Sequence, residues 1–129
     1  MTKPMTSFDI AATAANIADA RKASDITLLD TAQISCLSDY FVVCTGESKT
    51  QIRTIAETIE QSLARKGLQP VGRERDSAFK WCLLDYGDVV IHVMHKTERE
   101  YYQLEQFWSH AAEVPQSQWL DPSLQTQAS

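Results

Sequence analysis

Between Ser48 and Gly67 the apolar residues Ile52, Ile55, Ala56, Ile59 and Leu63 fall at offsets of 3, 4, 7 and 11 from the first, one stripe of a 3.6-residue helix. Ser48 is placed to cap its start and Gly67 to stop it in the left-handed region, so the spacing predicts a helix over 49–66. The runs around it are short and rich in β-branched and aromatic residues. Ile26-Thr27-Leu28-Leu29 and Tyr40-Phe41-Val42-Val43-Cys44 precede it, and a short strand near Val71, then Phe79 to Asp85 and Val89 to Met94, follow it. The last two join at Tyr86-Gly87-Asp88, a hairpin turn in which glycine supplies the positive φ. A charged loop, Arg73-Glu74-Arg75-Asp76, is expected between them and the preceding strand. An Ala-rich helix over 8–22, with Phe8, Ala11, Ala14, Ala15 and Ala18 on one stripe and Ser7 as N-cap, opens the chain, and a last helix is expected from about Glu98 to Ala112. The order helix, strand, strand, helix, strand, strand, strand, helix implies one α/β domain: a mixed sheet of about five strands with helices packed on it.

A chain of 129 residues can bury roughly two thirds of its unfolded surface, so one core suffices without a disulfide or metal. Its 12 Lys and Arg against 17 Asp and Glu give a formal charge of −5, which argues against a general nucleic-acid binder and for a basic rather than an acidic partner. Cys36, Cys44 and Cys82 cannot all pair within the chain, which favours a reducing compartment. The first 25 residues lack the apolar run of a signal peptide, Asp9 and Asp19 are foreign to a basic transit helix, and no stretch approaches the roughly 20 apolar residues of a membrane span. A soluble, cytoplasmic protein is expected.

Candidate chemistry is sparse. The turn from Gly46 to Thr50, between a strand and a helix start, could cradle a phosphate, although one glycine outside a Walker pattern more often marks a turn and N-cap. Nucleotidyl transfer would also need paired carboxylates for Mg²⁺, and Asp85 and Asp88 are split across a turn. His92 and His95, three apart on a strand, point to opposite faces, and the cysteines show no metal spacing. No Cys–His or Ser–His pair stands out, and no cofactor is implied. What remains is a surface signal. Alternation puts Phe79, Trp81, Leu83 and Asp85 on one strand face, while Tyr101, Leu104 and Trp108 form a helical stripe. An aromatic patch rimmed by Asp85, Asp88, Glu98, Glu100 and Glu105 has the form of a docking site for a basic protein, and also that of a core edge with a solvated rim.

The run from Trp81 to Met94, followed by Glu98-Arg99-Glu100-Tyr101-Tyr102-Gln103-Leu104-Glu105 and Trp108, closely resembles the ribosomal silencing factor, or Iojap-like, family. Asp25-Ile26, Leu28-Leu29-Asp30, Ser38-Asp39-Tyr40-Phe41-Val42, Gly46, Ser48 and Gln51 match in the same order. The resemblance covers about residues 8–112, leaving 1–7 as an N-terminal extension and 113–129 as a tail expected to be flexible, although Trp119 and Leu120 could dock on the domain. It implies a nucleotidyltransferase-like topology without the catalytic carboxylates, and a binding protein rather than an enzyme. It further implies a partner, the large ribosomal subunit, gripped through the subunit-interface protein fourteenth in the large-subunit series. Small-subunit joining would be blocked sterically and translation repressed under nutrient or energy limitation. A homodimer when free is implied, with no DNA binding and no membrane. By position, Trp81, Leu83, Asp85 and Tyr86 would centre the docking face, with Val90, His92, Glu98, Tyr101 and Tyr102 as further contacts. The rival function is a nucleotidyl- or phosphoryl-transferring enzyme using the Gly46–Thr50 turn.

Overall fold

A computed structural model describes residues 5–32, 38–75, 78–103, 106 and 111–125. Thr6, not Ser7, caps the first helix: its hydroxyl accepts from the Asp9 amide, and the Asp9 carboxylate accepts from the Thr6 amide, both at 3.0 Å. This helix, α1 (Ser7–Ala20), is buried without interruption from Ile10 to Ala18, so it has no solvated face in its middle. Alanine makes that possible, because small side chains let sheet and helices approach on every side. The second helix, α2 (Lys49–Arg65), is amphipathic as the spacing predicts: Ile52, Ile55, Ala56, Ile59, Ser62 and Leu63 are buried. Ser48 accepts from the Gln51 amide at 3.1 Å to start it. At its end Gly67 takes φ +85°, its amide bonds the Ala64 carbonyl, and Leu68 bonds the Leu63 carbonyl, a Schellman stop.

The strands are β1 (Ser24–Asp30), β2 (Tyr40–Gly46), β3 (Gly72–Arg75), β4 (Trp81–Asp85), β5 (Val89–His95) and β6 (Ala112–Glu113). They form one six-stranded sheet in the order β3-β4-β5-β2-β1-β6, against the expected five or so, in which only β2 and β5 run parallel. Two sequence expectations are corrected here. Arg73, Glu74 and Arg75 are not a loop but lie in edge strand β3, paired with Leu84, Leu83 and Cys82. The last helix, α3 (Lys96–Tyr102), stops at Gln103, which turns into the left-handed region at φ +48°, and Ala112 belongs to β6, paired with Asp30. Leu104, Glu105, Phe107 and Trp108 lie outside the described residues. The β4–β5 turn is as read, with Gly87 at φ +87° and its amide on Asp85 Oδ1 at 2.8 Å.

Alternation along the strands divides the sheet into two faces. Leu28, Val42, Cys44, Cys82, Leu84, Val89, Ile91 and Val93 meet α1 and α2 in the main core. Leu29, Phe41, Val43 and Met94, with Trp81 and Val90 packed on them, form a second, smaller cluster on the opposite face. Beyond Pro115 the chain turns back onto α1 through two short helices, α4 (Gln116–Trp119) and α5 (Pro122–Gln125). Trp119 is buried in the main core, whereas Leu120 stays exposed. Asn16, buried in the middle of α1, donates to the Ala12 and Trp119 carbonyls at 2.8 and 2.6 Å and accepts from the Asp121 amide at 2.8 Å. A stretch whose composition argues for flexibility is thus placed against the domain by one buried amide.

Candidate functional site

The pairing register, which the sequence leaves open, decides what the second face presents. Trp81 pairs with Met94, Leu83 with His92 and Asp85 with Val90, while on the far side of β5 Thr45, Val43 and Phe41 complete the same rows. Trp81, Leu83, Asp85, Val90 and His92 therefore share one face, away from α1 and α2. The first four are partly exposed; His92 is buried, with 6% of its surface exposed.

His92 is a support rather than a contact surface. Its ring lies 4.7 Å from that of Phe41 and 5.7 Å from that of Trp81, and Trp81 Nε1 donates to His92 Nδ1 at 2.9 Å. An indole N–H only donates, so Nδ1 carries no proton and the imidazole is the neutral Nε2–H form. Burial agrees with this, pushing the His92 pKa down to about 4. The indole is thereby held at a fixed angle on the sheet.

From Trp81 the rings continue outward. Tyr102 of α3 stacks on it at 4.8 Å between centroids, and Tyr101 meets Tyr102 edge-on at 4.9 Å. Tyr101 is 80% exposed and Tyr102 44%, unusual for aromatic side chains beside a packed face. No residue of α3 is buried, so besides the Tyr102–Trp81 stack the helix is tied down by a cap and by Arg99. His95 caps it: Nδ1 accepts from the Thr97 amide at 3.2 Å and Nε2 then donates to the Glu47 carbonyl at 3.2 Å. Arg99 supplies the other tie. Its guanidinium donates to Thr45 Oγ1 at 3.0 Å, to Thr27 Oγ1 at 2.9 Å and to the Asp25 carbonyl, which a bulge in β1 between Ser24 and Thr27 brings into reach.

Tyr86 stands apart from the patch. Tyr86 packs on the main core, across the sheet from Trp81, and its hydroxyl has no hydrogen-bond partner among the described residues. Burial, then the Glu60 carboxylate, push its pKa up to about 12. Glu98 lies in the first turn of α3, where it accepts from Thr97 Oγ1 at 3.4 Å. Phe41, Met94 and Arg99 belong to the site and were missed. Strand alternation could have placed Phe41 and Met94 with Trp81 had the register been known, whereas no sequence signal tied Arg99 to Thr27 and Thr45.

The phosphate-turn geometry counts for a structural role. A Cβ on Gly46 would lie 2.7 Å from Ile52 Cγ1, so this glycine is required by the close packing of β2 against α2. Two amides that could hold an anion are already taken, Gln51 N by Ser48 Oγ and Glu47 N by Gln51 Oε1 at 2.7 Å. His92 and His95 serve separate ends of β5, and among the described residues no three His, Cys, Asp or Glu side chains are grouped to hold a metal. Cys44 is fully buried, with its thiol pushed up to about 12, and is unsuited to nucleophilic attack.

Fold and face together define a single-domain mixed α/β protein that offers an aromatic sheet surface. The sequence profile described as "Ribosomal silencing factor during starvation" matches residues 4–129, reaching beyond the 8–112 of the motif resemblance. The chain is 43% identical over 98 residues to the ribosomal silencing factor RsfS of Bacillus subtilis, covering 76% of this chain and 83% of that protein. The chloroplastic protein Iojap of Arabidopsis thaliana is 33% identical over 100 residues, covering 78% of this chain and 42% of that longer protein. A crystal structure from Chromobacterium violaceum superposes with a TM-score of 0.77 at 34% identity, covering 81% of this chain and 88% of the other. The chain belongs to the ribosomal silencing factor family.

Proposed function

We propose that this chain silences translation by docking its second sheet face on the large ribosomal subunit. The subunit-interface protein fourteenth in the large-subunit series is the contact, and the bound domain blocks small-subunit joining when nutrients or energy are short. The observation that carries this reading is the run of stacked rings from Trp81 through Tyr102 to Tyr101, rigid at its inner end and open to solvent at its outer end. An indole locked by a hydrogen bond loses little freedom on binding, which is what an interface anchor requires. Trp81 and Leu83 fill an apolar pocket of the partner, Tyr101 and Tyr102 extend the contact, and Asp85 with the acids of α3 sets register against lysines and arginines. Tyr86, on the other side of the sheet, shapes the turn instead. The protein acts in the cytoplasm as a binding factor, without a cofactor, and the same face serves a homodimer when no ribosome is bound. No described helix is long and apolar enough to cross a membrane.

Sedimentation with isolated subunits tests the reading. The chain should travel with large subunits, stay behind with small ones, and lower the yield of joined ribosomes when added first. Co-sedimentation with small subunits alone, or undiminished joining at saturating protein, would contradict it.

A further inference from the structure

Helix α3 presents the two exposed tyrosines, yet none of its residues is buried, so something other than a core fixes the angle at which they stand. The pairing register shows where it is fixed. Trp81, Met94 and Thr45 lie side by side in one row across β4, β5 and β2, and all three point to the second face. Met94, in the middle of that row, is fully buried. At one end Tyr102 stacks on Trp81, and at the other Arg99 donates to Thr45 Oγ1 at 3.0 Å. Arg99 reaches one strand further, to Thr27 Oγ1 at 2.9 Å and to the Asp25 carbonyl of β1. Arg99 and Tyr102 are three residues apart and share one side of the helix, which thus stands on two feet, an aromatic one on β4 and a cationic one on β2 and β1.

Either foot alone leaves α3 free to swing. The His95 cap fixes only the start of the helix, and the ring stack constrains a single point near its end. Arg99 adds the third point, through a planar fork that bonds two strands at once. Its side chain lines a 540 Å³ cavity with Asp25, Thr27, Thr45, Lys96 and Gln103, so among the described residues polar bonds rather than apolar packing hold this side of the helix.

We propose that Arg99 is the positioning residue of the docking face: it sets the angle of α3, and so the places of Tyr101 and Tyr102 beside Trp81, while its own guanidinium stays on the sheet. The proposal deepens the large-subunit reading above and rests on it. Arg99 is half-buried and bonded to sheet oxygens, whereas Tyr101 stands exposed at the outer end of the ring stack. Rings held in place lose less freedom on binding than rings carried by a loose helix, so the tether raises affinity from behind the contact surface.

Affinities for isolated large subunits test this, measured for the unaltered chain, Arg99→Met, Arg99→Lys, Tyr101→Ala/Tyr102→Ala, and the triple variant Arg99→Met/Tyr101→Ala/Tyr102→Ala, each checked for an unchanged fold by circular dichroism. Arg99→Met should bind about five- to tenfold more weakly, because two ring side chains must then be ordered on binding. Arg99→Lys keeps the charge but cannot bridge two strands, and it should stay weakened by at least about threefold. In the chain lacking both tyrosines, Arg99→Met should change affinity by less than about twofold, since no rings remain to be placed. A further loss of about fivefold or more in that background would overturn the proposal, because Arg99 would then be a direct contact or a general support of the fold. Full affinity in Arg99→Met would overturn it too, as would full affinity in Arg99→Lys, which would make charge alone the agent. Failure of the unaltered chain to bind large subunits would instead remove the docking reading itself, and this proposal with it.

Discussion

Trp81 and His92 share a contact that a proton can break. His92 accepts from the indole only while Nδ1 is bare, and burial sets its pKa at about 4 against about 6.5 in an unfolded chain. Between those values the unfolded chain binds the extra proton and the folded one does not. The stability linked to His92 is therefore fully present above pH 6.5 and is lost as pH falls toward 4, by about 3 kcal/mol in all. Denaturant titrations across this range should show that loss, and His92→Asn, which keeps an acceptor but cannot titrate, should remove most of it. An equal pH slope in the variant would show that other groups carry it. The residue scale is also where sequence reasoning ran out. Composition marks Trp81 as a large aromatic on a strand, but whether it faces helix or solvent depends on partners a one-residue slip would exchange.

At the scale of elements, legibility followed burial. The stripe from Ile52 to Leu63 reads directly because one face of α2 is in the core and the other in water. Edge strand β3 reads as a loop because it pairs on one side only, and Arg73 to Arg75 are exposed. The early end of α3 at Gln103 leaves no mark in the sequence, since the aromatic spacing continues past it. This short helix depends on Arg99, whose three hydrogen bonds to β1 and β2 replace a buried apolar face. Arg99→Met should cost about 2–3 kcal/mol in docking α3, because Thr27 and Thr45 keep partly buried hydroxyls without that donor. Hydrogen exchange over 96–102 should then speed up far more than over α2. Equal protection in both proteins would mean that the Tyr102–Trp81 stack alone holds the helix. The tail shows the same logic, as Asn16 satisfies itself through Trp119 and Asp121. Asn16→Ala should destabilise the domain by about 2–4 kcal/mol and open 112–125 to proteases, while a tail that stays resistant would point to Trp119 burial as the sufficient anchor.

For the whole molecule, the sheet has one face committed to stability and one left partly open. Helices α1 and α2 close the first, and the second carries a small cluster beneath an indole and two tyrosines. The sequence motifs placed Trp81 to Asp85 and Val89 to Met94 on two neighbouring strands, but the fold alone separates Tyr86 from Trp81 and brings Phe41 and Arg99 to the same face as Trp81. The central claim is that the open face docks on the large subunit through Trp81. It is tested most directly by comparing the affinity of Trp81→Ala and of the unaltered chain for isolated large subunits, with circular dichroism confirming that the variant is folded. The expected result is a loss of at least about 2 kcal/mol, near thirtyfold in affinity, with less inhibition of subunit joining. A folded Trp81→Ala that binds large subunits as tightly as the unaltered chain would contradict it.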